Sequence, residues 1–101
     1  MTHRLIRYRT RPDRADENQR LIEAVFAELK ASHPDSVRYL SLRGPDGTFF
    51  HLVADELGGK ASPIPSLTAF REFQRGLAER CVEAPQVTEV TLVGNHRLLS
   101  G

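Results

Sequence analysis

The alternation of strand-like and helix-like segments constrains this chain more than any other feature of its sequence. Four segments place hydrophobic residues at every second position, as β-strands do: Leu5 to Thr10, Val37 to Arg43, Thr48 to Asp55 and Val87 to Val93. Two longer segments repeat their hydrophobic residues at helical spacing instead. The first opens at Pro12-Asp13 and ends at His33-Pro34, and the second runs from a capping Ser66 to Cys81.

The connections favour one arrangement of these segments. Gly44-Pro45-Asp46-Gly47 is a strong tight-turn signal, so the second and third strands should form an antiparallel hairpin. The order βαββαβ then predicts an α+β protein on the ferredoxin-like plan, a four-stranded antiparallel sheet with two helices on one face. The stretch from Leu57 to Ser66 is rich in glycine and proline and is interpreted as a mobile flap.

Size and charge exclude several classes of protein. A chain of 101 residues suffices for a single domain, residues 1–101, and is too short for two independent cores. Its formal charge of +1 gives no electrostatic case for nucleic acid or an anionic membrane as a partner. The single cysteine allows no internal disulfide, and neither a membrane span nor a signal peptide is expected. We therefore expect a cytoplasmic protein.

Both faces of the predicted sheet carry hydrophobic residues, although helices cover only one. Parity along the strands predicts this helix-facing set: Ile6, Tyr8, Leu40, Leu42, Phe50, Leu52, Ala54, Val90 and Leu92. The opposite set mixes apolar and polar residues: Leu5, Val37, Tyr39, Phe49, Val53, Val87 and Val93, with Arg7, His51, Glu89 and Thr91 among them. Such an exposed apolar face is uncommon on a monomer, so we expect a homodimer that pairs the open sheet faces of two copies.

Three short motifs accompany this order of elements: the His33-Pro34-Asp35 break after the first helix, Asp46-Gly47-Thr48 in the hairpin, and Ala69-Phe70 opening the second helix. With them the chain resembles the dimeric α+β barrel superfamily, and within it the antibiotic biosynthesis monooxygenase-like domains. The resemblance implies a homodimer whose two sheets form a barrel, with a ligand cavity between sheet and helices in each subunit. Some members oxidise aromatic polyketides or quinols without metal or flavin, so no cofactor is expected; others degrade haem.

The chain departs from those domains where several of the oxygenases carry functional residues. Counted from Asp46-Gly47-Thr48, their third-strand asparagine and tryptophan are replaced by Leu52 and Glu56, and the chain contains no tryptophan. By this correspondence Leu52 is a candidate ligand contact and Glu56 a candidate catalytic carboxylate. The second helix lacks the histidine of the haem-degrading members, which argues against haem degradation.

Three polar residues are further candidates for binding a ligand in such a cavity. Asn18 and Gln74 fall in the apolar arcs of the two helices, where their amides would orient ligand oxygens. The alternation along the first strand places Tyr8 on the predicted helix-facing side, where its phenol would donate to a ligand carbonyl. The alternatives are that Asn18 lies near solvent, that Gln74 lies at the edge of its apolar stripe, and that Tyr8 is a core residue.

His51 and Glu56 are the candidate catalytic bases. A histidine can take a proton from an acidic phenol, but the parity of His51 favours a buried position in the dimer interface. A partly buried Glu56 would hold a proton more readily than a carboxylate at a solvated strand end. The other histidines show no metal-ligand spacing with one another or with Cys81, so no metal site is expected.

Three classes of function follow. One is a cofactor-independent monooxygenase acting on a small aromatic or quinone-like compound, in which a base forms a phenolate or carbanion that reacts with oxygen. Another is a non-catalytic homodimer that binds a small apolar ligand or serves in assembly. The third is RNA binding through Phe49 and Phe50, because RNA-recognition domains share the βαββαβ order; the low charge and the missing RNA-binding motif argue against it.

Overall fold

The computed structural model describes residues 3–55 and 62–98, and within them the predicted order of strands is confirmed. The strands are β1 (His3–Thr10), β2 (Val37–Arg43), β3 (Thr48–Asp55) and β4 (Cys81–Val90). The helices are α1 (Ala15–Ser32), α2 (Thr68–Gln74) and α3 (Leu77–Arg80). The strands form one antiparallel sheet in the order β2-β3-β1-β4, which is the ferredoxin-like topology. None of the helices described here is long and apolar enough to cross a membrane.

The second predicted helix is broken in two. It ends as α2 at Gln74, and Gly76, with a φ of 75°, turns the chain before the short α3. A left-handed backbone of this kind interrupts helical hydrogen bonding and is tolerated best by glycine. Cys81 therefore begins β4 instead of ending a helix.

The start of α2 is stabilised by a residue of α1 and not by the predicted Ser66 cap. The backbone N–H groups of Thr68 and Ala69 donate to the Glu28 carboxylate at 3.2 and 2.7 Å. A carboxylate at a helix N-terminus satisfies free N–H groups and interacts favourably with the helix dipole. Of the predicted flap, residues 57–61 lie outside the described part of the chain, and Ile64–Ser66 forms a 3-10 turn.

One face of the sheet packs against the helices and forms the core. Tyr8 of β1 and Phe49 of β3 are cross-strand partners, and both are 1% exposed. They belong to one buried cluster with Ile22 and Val25 of α1 and Phe73 of α2. This cluster identifies the helix-facing side of every strand.

The hydrophobic residues of the hairpin face the side opposite to the one that parity predicted. Because Tyr8 pairs with Phe49, and Ile6 with His51, the helix-facing set in β1 to β3 is Ile6, Tyr8, Tyr39, Ser41, Phe49, His51 and Val53. The prediction was correct for β1 and wrong for β2 and β3, where the residues predicted to face the helices lie on the open face: Leu40, Leu42, Phe50, Leu52 and Ala54. Val90 pairs with His3 and lies there too, whereas Leu92 and Val93 follow the end of β4.

The open face is mainly apolar along β2 and β3, whereas along β1 and β4 it carries charged residues, with Arg7 and Arg9 paired to Glu83 at 3.5 and 2.9 Å. Leu52 lies at its centre, paired with Leu5 on one side and Leu40 on the other. Leu42 on the same face is 60% exposed. Since Phe49 is buried under the helices, the RNA-binding interpretation keeps only Phe50 of its two aromatic residues on this face.

The turn between β2 and β3 depends on Gly47. Its φ of 85° is left-handed, and a Cβ at this position would lie 2.9 Å from the carbonyl oxygen of Thr10. The Thr10 N–H donates to the Gly47 carbonyl at 2.9 Å, which ties the turn to the end of β1. The turn therefore fixes the register of the hairpin and its position beside β1.

We predict that Gly47→Ala lowers the free energy of unfolding by about 1–2 kcal/mol or more, because the new Cβ meets both a left-handed backbone and the Thr10 carbonyl. Urea denaturation measures the change. Gly44→Ala is the control, since a Cβ there makes only ordinary contacts of 3.5 Å and longer. Equal stabilities of the two variants would contradict the role given to Gly47.

Candidate functional site

Hydrogen bonds connect four buried side chains between the sheet and the helices. The Tyr8 hydroxyl lies 2.9 Å from Nε2 of His51 and accepts a hydrogen bond of 2.9 Å from Nδ2 of Asn18. Oδ1 of Asn18 in turn accepts a hydrogen bond of 3.0 Å from Nε of Arg80. These side chains are at most 2% exposed, so they depend on one another for their hydrogen bonds.

The second nitrogen of His51 extends the connection to the edge strand. Nδ1 lies 2.9 Å from the hydroxyl of Tyr39 and 2.9 Å from that of Ser41, both on β2. The whole set is called the buried polar chain below: Arg80, Asn18, Tyr8, His51, Tyr39 and Ser41. It begins at a cation and ends at two hydroxyl groups.

The fold brings these residues together through register and helix phase. Ile6 on one side and Ser41 on the other are the direct cross-strand partners of His51. Tyr8 follows Ile6 by two residues and therefore lies on the same face. Asn18 lies on the buried side of α1, four residues before Ile22.

Arg80 is placed by the break between α2 and α3. Its terminal nitrogens donate to the carbonyl oxygens of Phe73, at 2.7 Å, and Arg75, at 3.1 Å. These carbonyls belong to the C-terminal end of α2, where free acceptors and the helix dipole favour a cation. The guanidinium also lies over the Phe73 ring, 5.5 Å from its centroid.

Burial changes the acid–base properties of the buried polar chain. Burial lowers the pKa of His51 to about 4, so that its imidazole is neutral at physiological pH. Burial likewise raises the pKa of Tyr8, an effect that the hydrogen bond from Asn18 opposes, and raises the pKa of Tyr39 to about 12. Both phenols therefore keep their protons, and Arg80 carries the positive charge of the buried polar chain.

A cavity of about 510 Å³ adjoins the buried polar chain at Tyr39. It lies between the C-terminal half of α1 and the start of β2, and its wall includes Phe26, Leu29, Val37 and Tyr39. The rings of Phe26 and Tyr39 meet edge to face, with centroids 5.0 Å apart. Tyr39 is thus both a wall of the cavity and a partner of His51.

The structure brings three of the six predicted site residues together. Tyr8, Asn18 and His51 are in direct contact, and His51 faces the helices, so its predicted place in a dimer interface is wrong. Gln74 is exposed and lines a separate cavity of about 460 Å³ beside α3. Of the remaining two, Leu52 lies on the open face, away from this site, and Glu56 lies outside the described residues.

Arg80, Tyr39 and Ser41 were not identified as site residues from the sequence. Arg80 had a visible signal, because it lies three residues after Leu77 and seven after Phe73, within the apolar stripe of the predicted second helix. A charged residue at such a position needs buried partners. Identifying Tyr39 and Ser41 required knowing which face of β2 meets the helices, and the alternation along the strand did not show this.

Solved structures share this fold, whereas no protein-family model and no curated protein matches the chain. A proposed antibiotic biosynthesis monooxygenase from Nitrosomonas europaea superposes with a TM-score of 0.74 at 10% sequence identity, over 93% of this chain and 100% of that one. One from Bacteroides thetaiotaomicron gives 0.71 at 15% identity, over 98% and 95%. One from Caulobacter crescentus gives 0.68 at 16% identity, over 92% and 90%. The predicted fold, that of the antibiotic biosynthesis monooxygenase-like proteins, is thereby confirmed.

We predict that His51 makes the protein less stable in acid. The pKa of His51 is about 4 when folded and near 6.5 when unfolded, so the unfolded chain binds more protons between these values. Stability is therefore lost as the pH falls from about 6.5, by up to about 3 kcal/mol, and the loss stops below about pH 4. Urea denaturation of the wild type and of His51→Gln over this range isolates the effect. Parallel curves for the two proteins would contradict it.

Proposed function

We propose that residues 1–101 form an antibiotic biosynthesis monooxygenase-like domain that oxidises a small aromatic or quinone-like compound without a cofactor. The shared fold supports the family. The observation that carries the proposed activity is the contact between His51 and Tyr39, which joins a buried neutral histidine to the wall of a cavity. A volume of about 510 Å³ lies within the usual range for small-ligand sites.

The cavity wall suits a flat, mostly apolar ring. Phe26, Leu29 and Val37 offer apolar surface, and the edge-to-face pair of Phe26 and Tyr39 offers aromatic contacts. Lys30 and Asp35 also border the cavity and would interact with polar substituents. A small phenol or quinone combines these features.

The proposed reaction converts a bound phenol to a quinone. The phenol loses its proton, the phenolate transfers electrons to O₂, and one oxygen atom enters the ring while the other leaves as water; one phenol and one O₂ give one quinone and one water. Both nitrogens of His51 are engaged inside the protein, so His51 acts through Tyr39 and is a positioning residue. Glu56, which follows Asp55 in the sequence, is the proposed acceptor of the phenol proton.

The alternative is a non-catalytic homodimer that binds a small ligand or serves in assembly. It is favoured by the burial of Tyr8, Asn18 and His51, each at most 2% exposed, because a ligand in the cavity would not touch them directly. Binding without oxygen consumption would identify this function.

In this proposal the protein is cytoplasmic and forms a homodimer through the open sheet face. Leu5, Leu40 and Leu52 form adjacent apolar pairs there, and a second copy would remove them from water.

We predict that the wild type consumes oxygen with dihydroxynaphthalene compounds and that His51→Gln lowers kcat roughly 100-fold with little change in KM, because His51 does not line the cavity. Oxygen-electrode measurements give both constants. Glu56→Ala should lower kcat as well.

A matched variant in the cavity separates binding from catalysis. Val37→Phe narrows the cavity and should raise KM while leaving the buried polar chain intact. Ligand binding by the wild type with no oxygen uptake from any of these compounds would rule out the oxygenase and favour the binding protein.

We predict that Leu52→Glu converts the dimer to a monomer, because it places a carboxylate between Leu5 and Leu40 at the centre of the open face. Light scattering after gel filtration should give twice the 11.4 kDa chain mass for the wild type and a single chain mass for the variant. Ala27→Glu, on an exposed position of α1, should remain dimeric. A monomeric wild type at micromolar concentration would contradict the proposed dimer.

A further inference from the structure

Arg80 determines which way the amide of Asn18 points. A guanidinium has hydrogen-bond donors and no acceptor, so the Asn18 atom at 3.0 Å from Nε of Arg80 is the oxygen. The NH₂ group is then left facing the Tyr8 hydroxyl at 2.9 Å. Because the carbonyls of Phe73 and Arg75 hold the other nitrogens of Arg80, the guanidinium is fixed in this orientation.

The orientation of Asn18 determines the tautomer of His51. The Tyr8 oxygen receives a hydrogen from Asn18, so its own hydrogen needs another acceptor, and Nε2 of His51 lies 2.9 Å away. A neutral imidazole carries one hydrogen, so a histidine that accepts at Nε2 carries it on Nδ1. Burial favours this neutral form, since it lowers the pKa of His51 to about 4.

The tautomer of His51 determines what Tyr39 offers to the cavity. With its one hydrogen on Nδ1, His51 donates to the Tyr39 or the Ser41 oxygen, both 2.9 Å away, and neither hydroxyl can donate to it. Burial raises the pKa of Tyr39 to about 12, so the phenol keeps its hydrogen and can act as a donor. Tyr39, unlike Ser41, lines the adjoining cavity, where an acceptor on a ligand would receive this hydrogen.

We propose that Arg80 sets the direction of every hydrogen bond in the buried polar chain, so that Tyr39 acts as a donor and the cavity selects a ligand with a carbonyl or phenolate oxygen. This inference rests on the proposed function for its ligand, but the direction of the chain is a property of the free protein. Arg80 is a positioning residue, since it acts on the ligand only through four intervening groups. The ionised form of a phenol is the stronger acceptor and gains more from this donor than the neutral form does.

The direction of the chain is tested by ¹⁵N NMR of histidine-labelled protein, which distinguishes the two neutral tautomers and the imidazolium. We expect His51 of the wild type to be the Nδ1–H tautomer at neutral pH. Asn18→Asp preserves the side-chain shape but removes the donor. Both oxygens then accept, one from Arg80 and one from Tyr8, and the Tyr8 oxygen must receive a hydrogen from Nε2. This variant should reverse His51 to the Nε2–H tautomer.

Matched variants keep the test decisive. Gln86→Glu makes the same chemical change at an exposed position of β4 and should leave the tautomer of His51 unchanged. If Asn18→Asp does not fold, Tyr8→Phe removes the donor to Nε2 and should give a mixture of both tautomers. An Nε2–H or doubly protonated His51 in the wild type, or an unchanged tautomer in a folded Asn18→Asp variant, overturns the proposal.

The ligand preference is tested with 4-nitrophenol, whose phenolate is yellow. The wild type should bind it as the phenolate at a pH where the free probe is mostly neutral, and Asn18→Asp should lose this preference. Binding of the neutral form by the wild type overturns the donor role of Tyr39. If the probe does not bind although the tautomers are as expected, the cavity is not an aromatic site and the proposed function fails, whereas the direction of the chain stands.

Discussion

A buried cation at the end of α2 is the constraint on which the interior of this protein depends. Arg80 is 1% exposed, and burying an unpartnered charge would cost far more than a domain of this size can tolerate. Two helix carbonyls and the amide oxygen of Asn18 supply the acceptors. Arg80 can donate to the Asn18 amide in one orientation only, and that orientation determines the hydrogen bonds of Tyr8 and His51. One charge thereby orders polar groups on α1, β1 and β3.

This polar interior explains why the sequence predicted the wrong helix-facing side for β2 and β3. Parity was used with the rule that the more hydrophobic side of a strand faces the helices. In β2 and β3 the rule fails, since the helix side carries Tyr39, Ser41 and His51 while the opposite side carries mainly aliphatic residues such as Leu40 and Leu52. A second apolar surface has the composition of a core, and composition alone cannot tell the two apart.

The elements themselves were predictable because their signals are local. Strand spacing and the Gly44 to Gly47 turn placed the hairpin, and the apolar arc of α1 included Asn18, which left an interior position as one of two alternatives. The break at Gly76 was missed because the apolar stripe continues across it, and the role of Arg80 depends on that break. The tautomer of His51 could not be predicted at all, since it depends on contacts between residues 62 positions apart in the sequence, Asn18 and Arg80.

The proposed site and the proposed dimer interface are the two sides of one strand. Along β3, Phe49, His51 and Val53 face the helices, while Phe50 and Leu52 alternate with them on the open face. A shift of one residue in the register would exchange these sets and place His51 on the open face. The left-handed turn at Gly47 and its hydrogen bond with Thr10 prevent that shift. The glycine that closes the hairpin therefore determines both where the histidine lies and which apolar residues lie on the open face.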